Sequence, residues 1–222
     1  MPTLTADTAE PISEPLAAQI AEQTTEQRLL AVAEQLFAAH GRHGVSGRSI
    51  TRAAEANVAA INYHFGSLDD LVDAVLRWRM AELLALREQL LERLESARAV
   101  ELEDIAEVVV GPLARLRSDP DRSAYPGFLH ALLTAGGAER ERVTAAFRPQ
   151  LDRIVALLAS AIGPGADPAP ALRRLGWALD AVVAVLARTD ADSASGLADE
   201  LVMFTAGALR GAPTTTRRGD SR

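Results

Sequence analysis

Residues 28–67 read RLLAVAEQLFAAHGRHGVSGRSITRAAEANVAAINYHFGS, and the spacing within this stretch decides the fold. Leu29, Leu30, Ala33, Leu36, Phe37 and His40 recur at helical intervals between Thr24 and Gly41, which predicts a helix over 24–41. Gly41, Gly44 and Gly47 then tighten the chain, and two short segments, 48–55 and 58–64, precede Gly66 and Ser67. Short helices joined by a tight turn fit this pattern. Ile50, Ala54, Ile61 and Phe65 can form the small core that holds one across the other, and Ala53 and Ala54 permit close approach. Ser67 followed by Asp70 has the form of a capping box. It starts a long helix carrying Leu68, Leu71, Val72, Val75, Leu76, Leu83, Leu90 and Leu94, expected to run to about residue 97.

Working outward, helices are expected near 101–117, 124–135, 138–162, 168–188 and 195–210, separated by Pro120, Gly136-Gly137, Gly163-Pro164-Gly165 and the polar stretch 190–193. Residues 1–23, with Pro2, Pro11, Pro15 and four acids but no Arg, are expected to form a flexible arm, and 212–222 a flexible tail. The expected division is therefore a helical unit over 24–67 and a larger helical unit over 68–211. In the last two helices Leu172, Leu175, Leu179, Val182 and Leu186, and then Leu197, Leu201, Phe204 and Ala208, alternate steps of three and four. Such seams suit helix–helix contact, and the expectation is a homodimer through 168–188 and 195–210.

Composition agrees with an all-α protein. The 222 residues are 48% hydrophobic but only 4% aromatic, so Ala, Leu and Val must build the core. With no Cys, thiolate metal sites, disulfides and cysteine nucleophiles are excluded. No basic region followed by an apolar stretch opens the chain, and no run of about 18 apolar residues occurs. A cytoplasmic protein without membrane contact is expected. The net charge of −7 tells against a generally basic nucleic-acid binder, but the charge is uneven: residues 24–67 carry four Arg against three acids.

Arg28 to Phe37, then Gly41, Ser46 to Ile50, and Ala59 to Ser67 together resemble, in order and spacing, the DNA-binding domain of the TetR family of transcriptional regulators. The segment Ile61 to Ser67 resembles a subgroup whose regulatory part also carries a Tyr-Pro-x-Phe segment, as at Tyr125 to Phe128. The resemblance implies a three-helix N-terminal helix-turn-helix domain joined to a helical bundle, palindromic double-stranded operator DNA as partner, and a small, largely apolar effector that releases a repressor. In that frame the second short helix, roughly Asn57 to His64, lies in the major groove. Ala59 and Ala60 then suit thymine methyls, Asn62 suits adenine or a phosphate, and Arg48 suits guanine. Thr25, Ser46, Tyr63 and His64 resemble phosphate-contact positions. Three departures stand out: Glu55 where the family turn usually has Gly, Leu68 where Lys is common, and Thr51 in place of Ala.

Other sites are excluded on chemistry. His40 and His43 straddle a helix end without a carboxylate cluster, the glycines at 41, 44 and 47 have neither Lys nor a preceding strand, and Asp69 and Asp70 diverge on a helix start. No metal, cofactor or enzymatic activity is expected. For an effector pocket the candidates are Tyr125, Phe128, His130, Phe147, Trp177 and Asp180, of which Phe128, Phe147 and Trp177 read more readily as ordinary core and His130 and Asp180 are the more suggestive. A second reading, a helical ligand-binding or scaffold protein with weakened DNA binding, draws on the acidic charge, Glu55 and Leu68.

Overall fold

The computed structural model describes residues 24–163 and 165–211; the expected arm and tail lie outside the described residues. Helix α1 (Thr25–His40) opens with a reciprocal cap, in which the Gln27 amide donates to Thr24 Oγ1 and the Thr24 amide to Gln27 Oε1. It ends at Gly41, whose φ of 73° suits glycine. A 3-10 turn (Arg42–Gly44) leads to α2 (Gly47–Ala53) and α3 (Ala60–His64). The long α4 (Leu68–Glu95) follows, capped by Ser67 Oγ, which accepts from the Asp70 amide at 3.0 Å. Five further helices complete the described chain: α5 (Leu102–Ser118), α6 (Tyr125–Ala135), α7 (Gly137–Ile162), α8 (Ala169–Arg188) and α9 (Ala191–Arg210).

Every expected helix is present among the described residues, with two instructive shifts. α3 begins at Ala60 rather than near residue 57, because Asn57 Oδ1 accepts from the Ala59 amide at 2.9 Å and holds the preceding residues in a turn. α9 begins at Ala191, not 195: Asp190 caps it through the Ser193 amide at 2.8 Å, so the polar stretch is a helix start and not a loop.

One buried cluster runs from Leu29, Ala33 and Phe37 on α1 through Val75, Met80 and Leu83 on α4 to Phe128 on α6 and Val182 on α8. A second, around Leu91, Ile105, Leu158 and Leu175, fills the far end of α4. α1 packs along α6 closely enough that a Cβ on Gly127 would meet Ala38 Cβ at 2.9 Å. The Tyr125 to Phe128 segment is therefore a joint, with Phe128 against Phe37 at 6.1 Å between ring centroids.

The same joint holds a buried ion pair. Arg79 on α4 donates through Nε and Nη2 to both oxygens of Glu34 on α1 at 2.8–3.0 Å, and through Nη2 to the Asp121 carbonyl at 2.7 Å. Burial pushes the Glu34 carboxyl up, and hydrogen bonding and charge from Arg79 oppose the shift. Because desolvation is the larger influence, the pair fixes geometry more than it adds net stability. Glu34→Ala should thus cost about 3–5 kcal/mol by stranding Arg79, whereas Glu34→Leu combined with Arg79→Met should cost far less. Urea unfolding of the three proteins checks this, and equal losses for the single and double replacements would contradict it.

Candidate nucleic-acid interface and cavity

α2 and α3 cross on a core of Ile50, Ala54, Ala60 and Ile61, each 7% exposed or less. The turn between them carries Glu55 at φ 51°, the one non-glycine residue with positive φ among the described residues. An L-residue there pays a steric cost of about 1–2 kcal/mol, since its Cβ crowds the following carbonyl. Ser46 caps α2, accepting from the Ser49 amide at 3.2 Å.

Around this core the candidate contact residues divide. Arg48 at the start of α2, and Ala59, Asn62, Tyr63 and His64 in and before α3, are exposed; Tyr63 is 85% exposed and meets His64 edge-on at 4.9 Å. An aromatic so exposed contributes nothing to the core and is open to a partner. Ser46 and Asn57 are exposed but already engaged, Ser46 as the cap of α2 and Asn57 in the turn before α3, and Thr25 is half-buried in the first turn of α1. The expectation for Ala60 is corrected. It is 7% exposed because its methyl completes the core beneath α3, so Ala59 alone of the two faces outward.

Charge at the start of α4 is also compensated in a way that residue spacing did not show. Arg42, from the 3-10 turn, pairs with Asp69 and, at 3.1 Å, with Glu139 on α7. Arg142, also on α7, pairs with Asp73 at 2.7 Å and stands 4.0 Å from Asp69. The acids at the head of α4 are therefore tied to the first turns of α7.

Further along α7 lies a cavity of about 320 Å³, at the place where the two buried clusters part. Val109, Leu113, Leu129, Phe147, Leu175 and Leu179 supply apolar walls. Of the six expected pocket residues, Phe147 and Asp180 line it. Tyr125 and Phe128 do not: both are fully buried in the α1–α6 joint, where burial pushes the Tyr125 hydroxyl up. His130, half-buried, is not among the lining residues, and Trp177 is 69% exposed because it faces outward from α8.

The decisive cavity residue, Arg87, was missed. Its Nε donates to the Val108 carbonyl at 3.0 Å, Nη2 to the Val109 carbonyl at 3.3 Å, and Nη1 to Gln150 Oε1 at 3.4 Å. Val108 is free to accept because the residue four later is Pro112, which has no N–H. No carboxylate lies within ion-pair distance of Arg87 among the described residues, and burial pushes its pKa down to about 10. At the exposed rim Arg140 pairs with Asp180 at 3.1 Å.

Residues 29–75 match the family described as "Bacterial regulatory proteins, tetR family". No curated protein matches the sequence. Among solved structures, the transcriptional regulator FadR from Bacillus subtilis, in complex with stearoyl-CoA, aligns with TM-score 0.61 and 14% identity over 82% of this chain and 98% of its own. A TetR-family regulator from Streptomyces coelicolor aligns with TM-score 0.59 and 24% identity, covering 84% and 94%. NalD of Pseudomonas aeruginosa, the secondary repressor of the MexAB-OprM multidrug efflux pump, aligns with TM-score 0.53 and 20% identity, covering 82% and 94%. At these identities the likeness is one of fold.

Glu55→Gly should release the strain of the α2–α3 turn, raise stability by about 1 kcal/mol and remove a negative charge from the exposed face. Thermal unfolding reads the first effect, and a lower melting temperature than the parent would show that Glu55 is held by contacts worth more than the strain.

Proposed function

We propose that this chain, whose residues 29–75 form a tetR-family domain, is a one-component transcription regulator: a homodimer that represses by holding palindromic operator DNA and is released by a small effector. The observation that carries this is the pairing of an exposed Arg48, Asn62, Tyr63 and His64 face on α2 and α3 with a cavity lined in part by α4, the helix that follows them. α4 begins directly after α3 and lines the cavity at Arg87, and α7 grips the head of α4 through Arg142 and the 3-10 turn through Glu139 before lining the cavity itself. An occupant that moves α7 also moves the reading head. Two heads on one palindrome must sit about 34–36 Å apart, so a shift of a few ångströms breaks simultaneous contact.

The dimer face proposed here keeps the two expected helices and Phe204 but not most of the leucine seam. Leu175, Val182, Leu186 and Leu201 are buried inside the protomer, and Leu179 packs on the second cluster and lines the cavity. What α8 and α9 leave exposed is Trp177 together with Met203 and Phe204. These lie at similar distances from the 189–190 connection and hence at one level of the hairpin. A second copy presenting the same patch would bury it in a four-helix contact. Trp177→Arg with Phe204→Arg should give a folded monomer by light scattering; a dimer that persists would exclude this face.

On operator DNA, Arg48→Ala should cost about 1–3 kcal/mol and relax base preference, whereas Tyr63→Phe and His64→Ala should weaken all sequences alike. Gel-shift titration against the DNA flanking the gene, at two salt concentrations, tests the whole reading. Specific binding that weakens with salt supports it. Absence of any specific complex would favour the scaffold reading, as would equal losses on specific and random DNA for Arg48→Ala combined with salt-independent binding.

A further inference from the structure

The effector class can be narrowed from the charge inside the cavity, on the reading that the cavity holds an effector. Arg87 is 5% exposed yet is one of the lining residues. Its partners are two carbonyls and a neutral amide, and Gln150 is itself pinned by donating from Nε2 to the Leu84 carbonyl at 3.1 Å. A guanidinium has five N–H donors, so three bonds leave one N–H on each Nη without a partner. Phe147, whose ring centroid is 5.2 Å from the guanidinium, offers only the weak attraction of its π face. The outer end of the cavity is different: Arg140 is exposed and already neutralised by Asp180.

We propose that the cavity takes an amphiphile with a single carboxylate, seated head-inward with the carboxylate on the two free N–H groups of Arg87 and the apolar body along Leu113, Leu129, Leu175 and Leu179 toward the rim. The match is one of both charge and shape. A planar carboxylate accepts two parallel N–H bonds from a guanidinium, and the pair gains strength in a site without competing water. A neutral apolar molecule fills the walls but leaves the buried cation uncompensated. An amine meets like charge at the inner end. Arg87 is also held in place before any ligand arrives, by the carbonyl that Pro112 frees, so little ordering accompanies binding.

Calorimetric titration of the full chain with octanoate, octanol and octylamine near neutral pH tests this without DNA. Octanoate should bind about tenfold or more tighter than octanol, as expected for a charge-assisted pair over a neutral hydroxyl, and octylamine should not bind measurably. Arg87→Gln should abolish the octanoate preference while leaving octanol affinity within about twofold. Octanol binding as tightly as octanoate, a preference that survives Arg87→Gln, or no binding by any of the three would each overturn the proposal. If Arg87→Gln does not fold, the ranking of the three probes on the native chain still decides. Because no operator is present, a chain that fails to bind DNA but ranks the probes as stated would refute only the regulatory reading, and the reverse outcome would refute only this one.

Discussion

The bidentate pair between Glu34 and Arg79 is the constraint on which the rest of the molecule hangs. It joins the first helix of the reading unit to the long helix that leaves it, and its third bond, to the Asp121 carbonyl, draws in the connection before α6. A buried guanidinium and carboxylate tolerate little displacement, because any separation exposes two desolvated charges to an apolar surround. Apolar packing alone would allow α1 to slide over α6 at small cost. The ion pair, with the close contact at Gly127, removes that freedom and makes the reading unit move as one body with α4.

α4 shows why part of the design was legible in the residues and part was not. Leu71, Val75, Arg79, Leu83, Arg87 and Leu91 form one row at intervals of four, and all six are buried. Reading the apolar members of that row is enough to place the helix and its inner face. The two arginines interrupt the row without breaking its spacing, and a charged residue on an apolar row signals a buried partner or a buried site. Nothing local distinguishes the two cases: the partner of Arg79 lies 45 positions away, and Arg87 has no acidic partner among the described residues.

The helix-turn-helix was legible because its elements are close in sequence and each carries its own cap or turn residue, such as Ser46, Asn57 and Ser67. The helix-pair seams were legible only as helices. Three-four spacing reports that Leu175, Val182 and Leu186 share a face, but not which neighbour covers it, and here α5 and α6 take the place that a second copy was expected to fill. Tyr125 and Phe128 were misplaced for the same reason: large aromatics in a regulatory half suit a pocket as well as a joint, and the small residue between them, Gly127, was the sign of close helix packing.

Where local rules fail, the failures come in compensating sets. A proline inside a helix removes one hydrogen bond and would by itself cost about 3 kcal/mol or more. In α5 the carbonyl so orphaned receives Arg87, whose own burial would be worse without it. The two defects relieve each other incompletely, because a neutral carbonyl satisfies a donor but cannot cancel a charge. What remains unsatisfied is one positive charge in a cavity lined mostly by apolar side chains. Glu55 differs in having no such complement, since its positive φ lies in an exposed turn. Strain of the first kind is tied to a cavity, where an occupant can relieve it; strain of the second kind persists in the free protein and acts only on the precision with which α2 presents α3.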